Sequence, residues 1–336
     1  MTIIYISSEK ERSGKTSLLT TLARNLTNAG KKVTIIIPPD ANESAPSGTE
    51  LMVKDLLLTA PNTGFPKIRS DINLNSKNVD SIKSLVDSDD DNSAVVLIEG
   101  SSNLKTTNIS ELLESLDAIC LDIIKFKPGI SNSAILSRSQ TLGDRLAGVI
   151  INGVTRYKKT SVEIDLIPSL CSSGLSVFGA IPESRTLLSS TVKTLALNLN
   201  GNIIAGEEHA DALVEHFMVG GWTLDSGELY FGIKENKAAI IRGDRPDMQM
   251  SALNTNTSCL ICTNGIEPIE YVLYEAAQQD IPIIVVETDT LNTMDSLNKL
   301  KITSHFDHRA KLMEFGELMD QWLDLEYMYR KLSIAI

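Results

Sequence analysis

The stretch with the clearest chemistry is Ser8-Glu9-Lys10-Glu11-Arg12-Ser13-Gly14-Lys15-Thr16-Ser17. It follows a β-branched and aromatic run, Thr2–Ser7, and precedes a helical repeat of leucines. A loop in that setting turns its backbone N–H groups, and those of the first helical turn, toward phosphate oxygens. The helix dipole adds positive potential at the same point. Gly14 lets the backbone approach an anion without a Cβ, Lys15 reaches the outer phosphates, and the Thr16 hydroxyl is a ligand for Mg²⁺. Ser13 and Ser17 flank the pair. This is a phosphate-binding P-loop with one departure. The usual pattern begins with glycine five residues before Gly14, and Glu9 stands there instead. A carboxylate about 8 Å from a phosphate charge costs roughly 2 kcal/mol at an effective dielectric near 20, so Glu9 must turn away, pair with Lys10 or Arg12, or contact a base or ribose.

A second carboxylate completes the candidate site. Val95-Val96-Leu97-Ile98-Glu99-Gly100 is an apolar strand that ends in Glu99. Ligands of doubly wound sheets sit at the carboxyl ends of the strands, so Glu99 is a direct or water-mediated partner for Mg²⁺. Other polar groups carry less. Cys259 and Cys262 are three apart on a predicted strand and face opposite ways, which suits a core and not a shared metal. His209 and His216 fall seven apart on a possible helix among acidic residues, a pattern read as a solvated face. Arg242, Asp244 and Arg245 form either an anion-binding turn or a structural one. No nucleophile elbow and no Cys/His catalytic constellation is present.

The elements that must position the loop are legible as near-continuous apolar runs. Thr2–Ser7, Lys32–Ile37, Ala94–Ile98, Ala118–Ile124, Leu146–Ile151 and Leu175–Ala180 read as strands of a parallel sheet covered on both faces. Thr16–Ala29 carries Leu18, Leu19, Leu22, Ala23 and Leu26 at helical spacing and stops at Gly30. The expected class is α/β, a P-loop NTPase-type sheet with helices on both faces. Pro39–Gly48 is turn-rich, and the acidic run in Ser84–Ser93 reads as a solvated loop. Beyond Pro182–Leu188 a second, smaller α/β unit begins. Its strands are expected near Glu228–Gly232, Ala238–Ile241, Ser258–Cys262 and Ile281–Val286, and its helices over Asp247–Leu253 and Glu267–Gln278. Asp307–Tyr329 should be a final helix. The expected domains are residues 1–200, 201–302 and a helical segment 303–336.

Composition sets the limits. With 336 residues, 42% hydrophobic and 22% charged, the chain is long enough for two ordinary globular domains. A formal net charge of −12 and the lack of a Lys/Arg-rich run argue against a nucleic-acid face. No apolar run reaches the length that spans a bilayer, and the N-terminus does not read as a signal peptide. Four cysteines make no disulfide framework, so a cytoplasmic setting is expected.

Several segments together resemble a known family. Ser7-Ser8-Glu9 with Ser13-Gly14-Lys15-Thr16, Leu97-Ile98-Glu99-Gly100, Leu146–Asn152 and Gly179–Leu187 are similar to the dethiobiotin-synthetase-like P-loop domain. That domain begins the long phosphotransacetylases and also occurs in short stand-alone proteins. Gly243–Asp247 with Thr263-Asn264-Gly265 resembles the DRTGG domain that follows it. The resemblance implies ATP, or another nucleoside triphosphate, with Mg²⁺. It places Asn152, Pro182 and Glu183 near the base, and it implies a homodimer with regulation through the DRTGG unit. A protein partner in acetyl-CoA metabolism is a further expectation. Two departures shape the functional reading. The second strand ends Ile37-Pro38-Pro39, without the lysine that dethiobiotin synthetase uses there, and no acetyltransferase domain lies within the chain. The expectation is a nucleotide-sensing module with slow or no hydrolysis. The alternative is an ATP-dependent synthetase of the dethiobiotin or cobyrinic acid type that activates a carboxylate.

Overall fold

In the computed structural model Thr2–Ser7 forms strand β1, with Ile4, Tyr5 and Ile6 fully buried. The structure describes residues 2–38, 48–58, 66–69, 95–101, 106–221, 227–300 and 305–335. The turn-rich sequence at 39–47 and the acidic run at 84–93 lie outside them. The chain divides into two compact units, Met1–Glu183 with Phe306–Ile336, and Ser184–His305.

The first unit is built on a seven-stranded sheet. After β1 come β2 (Val33–Ile36), β3 (Lys67–Arg69), β4 (Val95–Glu99), β5 (Ile119–Lys125), β6 (Leu146–Val154) and β7 (Val177–Pro182). Their order is β3-β2-β4-β1-β5-β6-β7, and every pairing is parallel. The chain winds outward on one side of β1, returns to it at β4, and then winds outward on the other. The strand tips flanking β1 therefore open a crevice at the carboxyl edge. Register sets what meets there: Ile6 lies beside Glu99, Ser7 beside Asp122, and Lys125 beside Asn152.

Helices α1 (Lys15–Asn28), α2 (Gly48–Leu58), α3 (Thr106–Leu116) and α4 (Asn132–Leu142) supply crossovers. Leu18, Leu19, Leu22, Ala23 and Leu26 of α1 are all fully buried, as their helical spacing predicts. On α3 the same logic buries Ile109, Leu112, Leu113 and Leu116 against Ile3, Tyr5, Val96 and Ile98. Truncating such a leucine to alanine typically costs about 2–5 kcal/mol.

The chain's last stretch, expected as one helix, is two. Arg309–Trp322 ends where Leu323 turns extended, and Leu325–Lys331 follows. The break has a cause. Leu323 bridges Gly179 at the edge of β7, and the Asp324 N–H donates to the Phe178 carbonyl at 2.8 Å. The Asp324 carboxylate then accepts from the Tyr327 N–H at 2.9 Å and caps the new helix.

The second unit has a five-stranded sheet of order β11-β12-β13-β14-β9. Its strands are β9 (Asn202–Ala205), β11 (His216–Gly220), β12 (Lys237–Arg242), β13 (Thr257–Thr263) and β14 (Ile283–Val285). A short antiparallel pair, β8 (Ser190–Thr191) with β10 (Leu213–Val214), stands beside it. Four strands of the larger sheet run parallel and β9 closes the edge antiparallel. Two expectations are corrected here. Glu228–Gly232 is not a strand: Gly227–Phe231 is a helical turn, with Gly227 and Phe231 buried four residues apart on one side. His216 lies in β11 and not on a helix with His209. Cys259 and Cys262 do face opposite sides of β13, each in a different hydrophobic cluster.

Lys237 is fully buried at the start of β12, where it donates to Thr255 Oγ1 at 2.9 Å and to the Asn256 carbonyl at 2.6 Å. Burial pulls its pKa from the ordinary 10.5 down to about 8, with Glu235 opposing. Between those two values the unfolded chain binds the proton and the folded one does not, so stability rises with pH across that window. Below about pH 8 both states are protonated and the full cost of the buried charge is felt. Urea melts from pH 7 to 9, below the range in which the buried cysteines oppose the trend, should show this rise in the wild type relative to Lys237→Met.

Candidate functional site

The P-loop backbone is shaped by side chains. Gly14 has φ of 101°, in the left-handed region, and a Cβ there would collide with the Asn152 side-chain amide. That amide donates from Nδ2 to the Ser13 carbonyl at 2.8 Å. Asn152 thus clasps the loop from β6, and its Oδ1 remains as the acceptor of the side chain. The Ser8 and Ser13 hydroxyls both donate to the Lys10 carbonyl at 2.7 Å, closing the outer limb of the loop. Arg12 adopts φ of 54°, a conformation that costs a non-glycine residue about 1–2 kcal/mol. Glu9, Lys10, Glu11 and Arg12 are exposed, so Glu9 is turned to solvent.

Lys15 is 8% exposed and its Nζ donates to Ser8 Oγ at 2.9 Å. Burial lowers its pKa and the nearby Glu99 carboxylate raises it in part. Thr16 Oγ1 donates to Glu99 Oε1 at 2.7 Å, so hydroxyl and carboxylate stand side by side at the tip of β4. Ser17 is half-buried in the first turn of α1. The structure therefore brings Ser13, Gly14, Lys15, Thr16, Ser17, Glu99 and Asn152 to one edge. Pro182 ends β7, one strand further out than Asn152, and Glu183 follows it. Pro182 pairs with Val154, and the Glu183 N–H donates to the Val154 carbonyl at 3.0 Å.

One buried cluster was missed from the sequence. Asp122 on β5 is 1% exposed and takes two bonds from Arg138 of α4, Nε to Oδ2 and Nη2 to Oδ1, each at 2.9 Å. Ser7 Oγ donates to Asp122 Oδ1 at 2.5 Å and accepts from Arg138 Nη2 at 2.6 Å. Arg138 Nη1 reaches Thr106 Oγ1 at 3.0 Å. The group pins α3 and α4 to the tips of β1 and β5, immediately before Ser8. Its only trace in the sequence is an aspartate inside the apolar run Ile119–Ile124. Among the described residues no three His, Cys, Asp or Glu side chains gather as a metal cluster. His209 faces Asp280 at 3.3 Å.

Residues 4–195, more than half the chain, match the family model of the CobQ/CobB/MinD/ParA nucleotide binding domain. The chain belongs to that family. Residues 194–300 match the DRTGG domain. The match carries this broader family and not dethiobiotin synthetase or phosphotransacetylase in particular. Among solved structures, the chain is similar to the MinC:MinD cell division complex of Aquifex aeolicus. Identity is 18%, 56% of this chain and 84% of that one are covered, and the TM-score is 0.38. Cobyrinic acid a,c-diamide synthase of Mycobacterium smegmatis, with bound ATP analog and magnesium, is 13% identical. It covers 55% of this chain and 88% of its own, at a TM-score of 0.38. The regulatory CBS and DRTGG region of Clostridium perfringens pyrophosphatase is 16% identical over 45% and 72%, at a TM-score of 0.28. No helix among the described residues is long and apolar enough to cross a membrane.

Two outcomes follow from the geometry. Arg138→Met leaves Asp122 charged and buried without its partner, so denaturant unfolding should report a loss of about 3–5 kcal/mol. Gly14→Ala must leave a backbone conformation suited to glycine and displace Asn152. Nucleotide titration of that variant should show weakened binding while its far-UV circular dichroism stays native.

Proposed function

We propose that this chain is a regulatory nucleotide sensor, binding ATP with Mg²⁺ at the P-loop and reporting occupancy through its DRTGG unit in a homodimer. The observation that supports it best is the Thr16–Glu99 hydrogen bond beside Lys15. A hydroxyl and a carboxylate at that separation suit Mg²⁺, which favours oxygen donors and keeps several waters. Thr16 would hold the metal and Glu99 would orient it directly or through water. Bound there, Mg²⁺ neutralises β- and γ-phosphate charge. Lys15 comes off Ser8 to meet the outer phosphates, and the N–H groups of Gly14 to Ser17 cradle them. Asn152 Oδ1, fixed by the clasp on Ser13, accepts from a donor on the base, which favours an exocyclic amine such as that of adenine.

Turnover is slow on this reading. Among the described carboxylates at the edge, Glu99 is engaged with Thr16, and Asp122 is locked by Arg138. Neither is placed as a base for an attacking water. The domains of this reading are residues 1–200, 201–302 and 303–336. Exposed Ile269, Tyr271 and Tyr274, at 53%, 61% and 61%, support self-association through the DRTGG unit.

Thermal melts of the full chain test the proposal. Mg²⁺-ATP at a hundred times its Kd should stabilise the wild type by about 2.7 kcal/mol. Lys15→Ala should lose this shift, and Glu99→Gln should lose its dependence on Mg²⁺. Absence of any shift with millimolar nucleotide would sink the idea.

A further inference from the structure

The sheet of the first unit has a second edge. At its amino end an open cleft of about 660 Å³ lies between the last turn of α4 and the turn that leads into β7. Ile119 and Leu146, the first residues of β5 and β6, line it. β5 is seven residues long, so the cleft lies about 20 Å from the strand tips at the nucleotide edge. No residue of the P-loop and neither Glu99 nor Asn152 reaches it.

Two turns shape the cleft. Gly143 follows α4, and Gly174 lies in the turn before β7. A Cβ on either would meet nothing within 4 Å, so both turns present bare backbone to open space. The last helix, Leu325–Lys331, is pinned beside them. Its Tyr327 hydroxyl lies 2.9 Å from that of Ser176, and the Tyr327 ring meets Phe178 edge-on at 5.5 Å. Lys331 follows one turn later and lines the cleft. Asp144 and Arg145 are the other charged groups of the lining. Arg145 is held by Asp117 at 2.5 Å. Among the described residues Asp144 has no ion pair, and Lys331 has only a ring contact, 5.7 Å from the Tyr327 centroid. One free carboxylate and one free ammonium thus stand at the rim, both exposed. The C-terminal carbonyls of α4 add negative potential on the Asp144 side. The lining also offers the polar groups of Ser139, Gln140 and Ser173.

We propose that this cleft binds a short peptide with both ends free, its ammonium at Asp144 and its carboxylate at Lys331. One free charge of each sign on the protein calls for one of each on the ligand. An anion alone would face Asp144, and a cation alone would face Lys331. Serine hydroxyls and the glutamine amide match the N–H and C=O groups of peptide links, which a hydrocarbon between the two charges would leave unused. The volume lies within the range of ligand pockets and has room for about two or three residues. The site is separate from the nucleotide edge and does not rest on the nucleotide reading.

Calorimetry on the full chain tests this, with trialanine and triserine as probes. Trialanine with its amine acetylated and trialanine with its carboxyl amidated are the controls. Uncapped peptide should bind at millimolar concentration or below, and each cap should weaken binding. Lys331→Gln should lower affinity by about three- to tenfold, as for ion pairs at a rim, and should no longer distinguish the amidated peptide from the free one. Asp144→Asn should do the same for the acetylated peptide. Both side chains are exposed, so neither carries the fold. Lys15→Ala should bind peptide as the wild type does. The proposal is overturned if no uncapped peptide binds, if capped peptides bind as well as free ones, or if either rim variant binds free peptide as the wild type does. Loss of peptide binding in Lys15→Ala would also overturn it, because the peptide would then occupy the P-loop. A missing ATP shift with intact peptide binding would overturn only the sensor reading.

Discussion

A loop that offers its backbone N–H groups to an anion cannot spend them on itself, so its shape must be imposed by side chains around it. In this chain the imposition is visible group by group. Asn152 holds the Ser13 carbonyl from β6, and Gly14 has no Cβ to obstruct that amide. Ser8 and Ser13 gather the Lys10 carbonyl, Lys15 rests on Ser8, and Thr16 on Glu99. Each contact uses a residue from a different strand tip or from the loop itself. The parallel order β4-β1-β5-β6 is what brings those tips into one row.

Rigidity below the loop comes from the buried Arg138–Asp122 pair and Ser7. A pair of this kind adds little net stability compared with apolar packing, but breaking it is costly. Its position matters more than its energy. Ser7 is the last residue of β1, and Ser8, next along, carries the lysine contact. An ion pair that fixes Ser7 therefore sets where the P-loop starts.

How much of this could be read from the sequence depends on what kind of residue carries the information. Apolar runs such as Val95–Ile98 and Leu146–Ile151 announce strands because both faces are covered. Ser13–Ser17 announces its own turn and helix. β9 and β11 were harder. Asn202–Ala205 is four residues on a sheet edge, and His216–Gly220 begins with a polar residue. Neither has the length or continuity of a central strand. The 227–231 turn misled because Tyr230 and Phe231 are strand-favouring types, while the burial that decides the element has a helical spacing. The clasp by Asn152 was legible only as a residue near the nucleotide. Its bond to Ser13 is a contact across 139 positions, which no local pattern encodes. The same holds for Asp122 and Arg138, whose pairing requires α4 to fold back over β5.

Glu99 and Asp122 are the informative contrast. They stand on the two strands that flank β1, both carboxylates, both at the carboxyl edge. Their partners separate their roles. Glu99 accepts from a neutral hydroxyl, a bond of about 0.5–1.5 kcal/mol that a divalent cation between the same two oxygens would more than replace. Asp122 accepts two bonds from a buried guanidinium and one from Ser7, and pulling it toward a metal would strand the arginine. A cation entering this edge therefore favours the β4 side. The β5 side stays fixed as a wall.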